Sequence, residues 1–167
     1  MITNFDIEQL SNKLDLPLIG VVNKDRLNDL PKTLGSYYIN MQNFDEGDGT
    51  HWVYARLYSD DDRFVYDSDN EDDYKVVKCL YFDPFGLDMP KEVSEYFKEY
   101  KPIAYSKKQI QNIRSTQCGW YCVACDYELT HKPINGSYLE DYEEFLNLWS
   151  DNPEENLKLL KAYFKPL

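Results

Sequence analysis

The chain has 167 residues, of which 43% are hydrophobic and 16% aromatic. That is enough for one core and too little for two ordinary domains, so residues 1–167 are expected to form a single folded domain rather than a disordered segment. Thirty acidic against eighteen basic residues leave a formal charge of -12, and a surface of that sign repels phosphate backbones, which argues against nucleic acid as a partner.

The N-terminal residues mix polar and apolar side chains and lack the continuous apolar stretch of a signal peptide. No segment reaches transmembrane length, so no membrane association is expected. Without an export signal, Cys79, Cys118, Cys122 and Cys125 are expected to stay reduced.

In chain order, Phe5, Ile7, Leu10 and Leu14 recur at helical spacing behind Asn4, which predicts a short amphipathic helix capped by Asn4 and ended before Pro17. Tyr37 to Met41, His51 to Tyr58 and Val76 to Phe82 are rich in β-branched and aromatic residues between turn formers and read as strands. Between the last two, Ser59 to Asp73 is a dense acidic run around Arg63 to Tyr66, the composition of a solvated hairpin or loop. A helix is predicted from Met89 to Tyr100, with Pro90 in its first turn and Val93, Tyr96, Phe97 and Tyr100 on one face. Ile103 to Tyr105 can add a short strand. Three more helices follow at Cys118 to Leu129, Leu139 to Trp149 and Pro153 to Phe164, the last capped by Asp151 or Asn152. The class is α+β, with no internal repeat and no domain linker.

Chemistry enters at Cys118, where polar residues give way to an apolar helical run. A cysteine at a helix N-terminus meets unpaired amides and the positive end of the helix dipole, which favour the reactive thiolate. The following Gly119 would let a substrate backbone approach closely. A cysteine nucleophile needs a base, and of the two histidines His51 stands where a Gly-rich turn leads into a strand. His131 follows the end of the Cys118 helix, roughly 20 Å along its axis from the thiol, and cannot easily serve. The base in turn needs an acceptor on its second ring nitrogen, and Asp83 supplies a carboxylate at a strand end. For the oxyanion, the Cys118 amide offers one donor, and Gln109, Gln111 or Gln117 could offer another. Taken singly, each of these residues has an ordinary structural role; their combination points to a thiol hydrolase.

The ordered set His51-Trp52, Asp83-Pro84-Phe85-Gly86 and Gln111 followed by Cys118-Gly119 resembles the adenovirus protease, adenain, and its relatives among SUMO-type proteases. The resemblance runs over roughly residues 36 to 129. It is closest to the maturation proteases of virophages and related double-stranded DNA viruses and transposons, which share the Gly-Thr-His-Trp-Val and Phe-Asp-Pro-Phe-Gly patterns. What it implies is a single-domain α+β fold of the papain-like superfamily, with the nucleophile's helix packed on a mixed sheet flanked by further helices. It also implies a Cys118, His51 and Asp83 triad with Gln111 at the oxyanion hole. The expected activity is that of a cysteine endopeptidase, a monomer cutting a protein substrate such as a capsid precursor next to small residues like glycine. Its expected location is the virion or the virus factory in the host cytoplasm. Adenain is basic and uses DNA and a peptide as cofactors; this chain is acidic, and no cofactor or metal is expected.

Two other classes compete. The same triad could cleave isopeptide bonds of a ubiquitin-like modifier or transfer an acyl group through the thioester. A zinc-binding interaction module could use Cys79, Cys118, Cys122 and Cys125, although one helix cannot easily aim three successive cysteines at one metal.

Overall fold

The computed structural model describes residues 1–46, 51–58, 65–66, 76–132 and 138–167. Helix α1 spans Asn4–Lys13 and is capped by Thr3 rather than by Asn4. Thr3 Oγ1 accepts from the Asp6 amide while the Asp6 carboxylate accepts from the Thr3 amide, a reciprocal capping box that satisfies two donors at once. Strand β1, Leu18–Asn23, was not foreseen, nor was the 3-10 turn at Lys24–Asp29 behind it. Leu18 to Asn23 is a short apolar run interrupted by Gly20, and neither its length nor its periodicity separates strand from loop. Its pairing with β2, Gly35–Asn40, is what makes it a strand.

Strand β3 covers Trp52–Leu57, and β4 (Val65–Tyr66) pairs antiparallel with β5 (Val76–Val77). Of the acidic segment expected as a hairpin or loop, Ser59 to Asp73, only Val65–Tyr66 lies within the described residues. Strand β6 is Cys79–Phe82, so the single strand expected from Val76 to Phe82 is divided at Lys78 between two sheets. Helix α2 is shorter than expected, Lys91–Tyr96, and tightens into a 3-10 turn at Lys98–Tyr100. Strand β7 (Ile103–Tyr105) and helices α3 (Cys118–His131), α4 (Tyr138–Asn147) and α5 (Pro153–Phe164) fall where the sequence places them. Asn152 caps α5, its side chain accepting from the Glu154 amide.

The main sheet has the order β1-β2-β3-β6-β7 and is mixed. β1 and β2 run parallel, as do β6 and β7, whereas β3 is antiparallel to both its neighbours. Both faces of its centre are buried, and the alternation of side chains along each strand divides the core in two. Tyr38, Trp52, Tyr54, Leu80 and Phe82 face a layer built with α3, α4 and α5. Tyr37, Ile39, Val53, Ala55, Leu57, Cys79 and Tyr81 face the opposite layer with Val93, Tyr96 and Phe97. α3 lies in the thick layer, and nine of its fourteen residues are buried, which explains why its sequence is apolar on nearly every side. None of the described helices is long and apolar enough to cross a membrane.

Candidate active site

Cys118 is the first residue of α3, the position at which a helix amide has no intrahelical acceptor. β3 runs alongside α3 and brings its first residue, Trp52, to the thiol: the Trp52 amide donates to Cys118 Sγ at 3.3 Å. One turn further along the helix, the Cys122 thiol donates to the Trp52 carbonyl at 3.4 Å. Trp52 therefore clasps the start of α3 through both backbone groups, a role that a sequence pattern does not reveal.

His51 immediately precedes β3, and its carbonyl accepts from the Met41 amide at 2.8 Å, extending the ladder with β2 by one step. The residue is buried, His51 being 8% exposed. Its Nε2 donates to Asp83 Oδ1 at 2.7 Å. With Nε2 so engaged, Nδ1 is the nitrogen free for the thiol, and it is buried without a hydrogen-bond partner. Burial by itself pulls the imidazole towards neutrality, but the Asp83 hydrogen bond and the nearby Asp83 and Cys118 groups outweigh it and raise the pKa from 6.5 to about 9. The site at neutral pH thus favours an imidazolium beside the sulfur.

The Asp83-Pro84-Phe85-Gly86 turn follows β6 and organises several parts at once. Asp83 Oδ1 accepts from the Phe85 amide at 2.8 Å as well as from His51. The Asp83 carbonyl accepts from the Gly86 amide at 2.8 Å, closing the turn. Gly86 has φ +70, and a Cβ there would lie 2.5 Å from the Lys107 carbonyl oxygen, so only glycine fits. Phe85 lays its ring on the His51 imidazole, with centroids 4.2 Å apart and planes 12° from parallel. The Pro84 carbonyl, in turn, accepts from the Ile110 and Gln111 amides, each at 2.9 Å.

This last pair of bonds sets Gln111 apart from the other two glutamines in its surroundings. Gln111 is wholly buried beside the Asp83 turn, and its Nε2 donates to the Ser115 carbonyl at 2.9 Å. An amide nitrogen carries two protons, so a second donor remains. The segment is braced from behind, because Asn156 on α5 donates to the Ile110 carbonyl at 2.8 Å. Gln109 is exposed, and its side chain donates to the Gln111 carbonyl at 3.1 Å. Gln117 is the residue before α3 and lines an apolar groove with Trp120, Leu157 and Phe164.

Two expectations change. A Cβ on Gly119 would lie 2.5 Å from Ile2 Cγ1 and 2.6 Å from its Cδ1, so the space beside this glycine holds the chain's own Ile2 and not an approaching backbone. The Ile2 carbonyl also accepts from the Trp52 indole at 3.0 Å. The zinc module loses its geometry: Cys79 faces one side of the sheet, and Cys122 and Cys125 the other. Among the described residues no group of His, Cys, Asp and Glu could hold a metal ion. His131 is a structural tie, its Nε2 donating to the Leu14 carbonyl at 2.7 Å.

A cysteine opens a helix packed on the sheet, and a histidine and a carboxylate stand at the ends of two adjacent strands of that mixed sheet, so the class of the protein is α+β with these three side chains brought together. No protein-family model and no curated protein matches the chain. Among solved structures it is similar to the ASFV pS273R protease, with a TM-score of 0.54 and 15% identity over 98% of this chain and 66% of that one. The selenomethionine form of that protease gives a TM-score of 0.50 and 16% identity with the same coverage. The fold is that of the ASFV protease, and this chain spans 66% of that protein's length.

Proposed function

We propose that the chain is a cysteine endopeptidase acting through Cys118, His51 and Asp83. The observation that carries this reading is the His51 ring held by Asp83 at 2.7 Å, with its other nitrogen unpartnered and Cys118 close enough to raise its pKa. In the reaction, the Cys118 thiolate attacks the carbonyl carbon of the scissile bond, and the oxyanion is met by the Cys118 amide and Gln111 Nε2. The C–N bond breaks as His51 hands the Nδ1 proton to the leaving amine. Water then hydrolyses the thioester, with His51 taking its proton, and Cys118 is released. Likeness in fold to a viral protease supports a protein substrate. Resemblance to the maturation proteases extends the proposal to a structural precursor such as a capsid protein, cut next to glycine or another small residue in the virion or virus factory by a monomeric enzyme.

The test is co-expression of the chain with a candidate capsid precursor, with product masses read for the native protein and for Cys118→Ala. Cleavage at one bond that disappears in Cys118→Ala is the expected result. Cleavage of a modifier conjugate in place of the precursor would move the activity to isopeptide bonds, and cleavage retained by Cys118→Ala would remove Cys118 from the chemistry.

A further inference from the structure

His51 must keep Nδ1 on the sulfur and Nε2 on Asp83 through the whole reaction just described. A single hydrogen bond to Asp83 does not fix the plane of the ring, because rotation about the Cβ–Cγ bond swings Nδ1 away from the thiol while the histidine stays in place. Something must hold the flat face.

We propose that Phe85 is a positioning residue for His51, its ring clamping the plane of the imidazole between Asp83 and Cys118 and favouring the protonated form of that ring. This rests on the assignment of His51 as the acid and base of the site. Three observations on the page support it. The two ring centroids lie 4.2 Å apart with the planes only 12° from parallel, the geometry in which the electron-rich face of the phenyl group meets a cation directly. The Phe85 amide donates to the same Asp83 oxygen that holds His51, so one four-residue turn sets both the edge and the face of the imidazole. That turn has little freedom, being locked by Gly86 against the Lys107 carbonyl and by the Pro84 carbonyl against Ile110 and Gln111. Phe85 is also only partly buried, unlike Phe82 three residues earlier in the core. The titratable groups that act on His51 are Asp83 from the end of β6 and Cys118 from α3, and neither is altered by changing Phe85.

The proposal is tested by following the His51 titration by NMR in the native protein, in Phe85→Leu and in Phe85→Tyr. Leucine keeps apolar bulk over the ring but has no aromatic face; tyrosine keeps the face. The midpoint in Phe85→Leu is expected to fall by about one pH unit, with kcat about tenfold lower and KM unchanged. Phe85→Tyr is expected to hold both near their native values. Should Phe85→Leu fail to fold, Phe85→Met gives the same comparison. A leucine variant that titrates like the native protein, or a tyrosine variant shifted as far as the leucine one, overturns the proposal. The titration needs no turnover, so a failure of the peptidase reading shows in the kinetics while the contact itself is still decided.

Discussion

At the scale of single residues, the site depends on which nitrogen of His51 faces which partner. Asp83 holds Nε2, and Nδ1 is left for sulfur. Replacing Asp83 by Asn keeps the shape and exchanges a charged acceptor for a neutral amide, so Asp83→Asn should fold normally while kcat drops by roughly a hundredfold or more. Unchanged turnover would show that the carboxylate is only a turn residue. The pH behaviour follows from the same contacts. His51 has a folded pKa of about 9 against 6.5 ordinarily. Its protonation therefore contributes stability in full below 6.5, and that contribution is lost as pH rises through about 9. Chemical denaturation from pH 6 to 10 should show this decline. In Cys118→Ala the midpoint of the His51 titration should fall, since one of the two groups that raise it is gone.

At the scale of elements, the site is assembled where α3 meets β3, and a buried carboxylate two turns below the thiol joins them. Asp126 accepts from Ser36 Oγ and Tyr38 Oη at 2.7 Å, from Tyr54 Oη at 2.9 Å and from the Arg56 guanidinium at 3.4 Å. Ser36 and Tyr38 belong to β2, and Tyr54 and Arg56 to β3, so one side chain registers the helix on both strands. Burial pushes the Asp126 pKa up, while Arg56 and the three hydroxyls pull it back. Truncation in Asp126→Ala strands a nearly buried guanidinium and is expected to cost about 3–5 kcal/mol, seen as a lower midpoint in urea. Asp126→Asn keeps one acceptor oxygen and should cost less. A loss below about 1 kcal/mol in the alanine variant would mean that hydrophobic packing alone seats α3.

For the whole molecule, charge bears on which partners to test. The formal charge is -12, and eight of the thirty acidic residues fall between Ser59 and Lys75. Duplex DNA is accordingly expected to leave the melting temperature and the cleavage rate unchanged at low salt, where any phosphate contact would be strongest. A shift that grows as salt is lowered would contradict this. By itself the amino-acid sequence determined the helices after Cys118 and the strands after Tyr37 and His51, and it singled out Cys118, His51 and Asp83 as the residues proposed to carry the chemistry. Those features are local: helical spacing, β-branched and aromatic runs, and reactive groups beside turns can be seen within a few neighbouring residues. Leu18 to Asn23 became a strand only by pairing with β2, and the Val76 to Phe82 run split because its two halves pair with different partners. The differing surroundings of Gln111, Gln109 and Gln117 came from bonds such as those of Gln111 to Pro84 and Ser115, and the engagements of Phe85, Trp52 and Asp126 from contacts across 34 to 90 positions of the chain. Contacts of that separation have no trace in local periodicity, because they exist only once the chain has closed the loops between them.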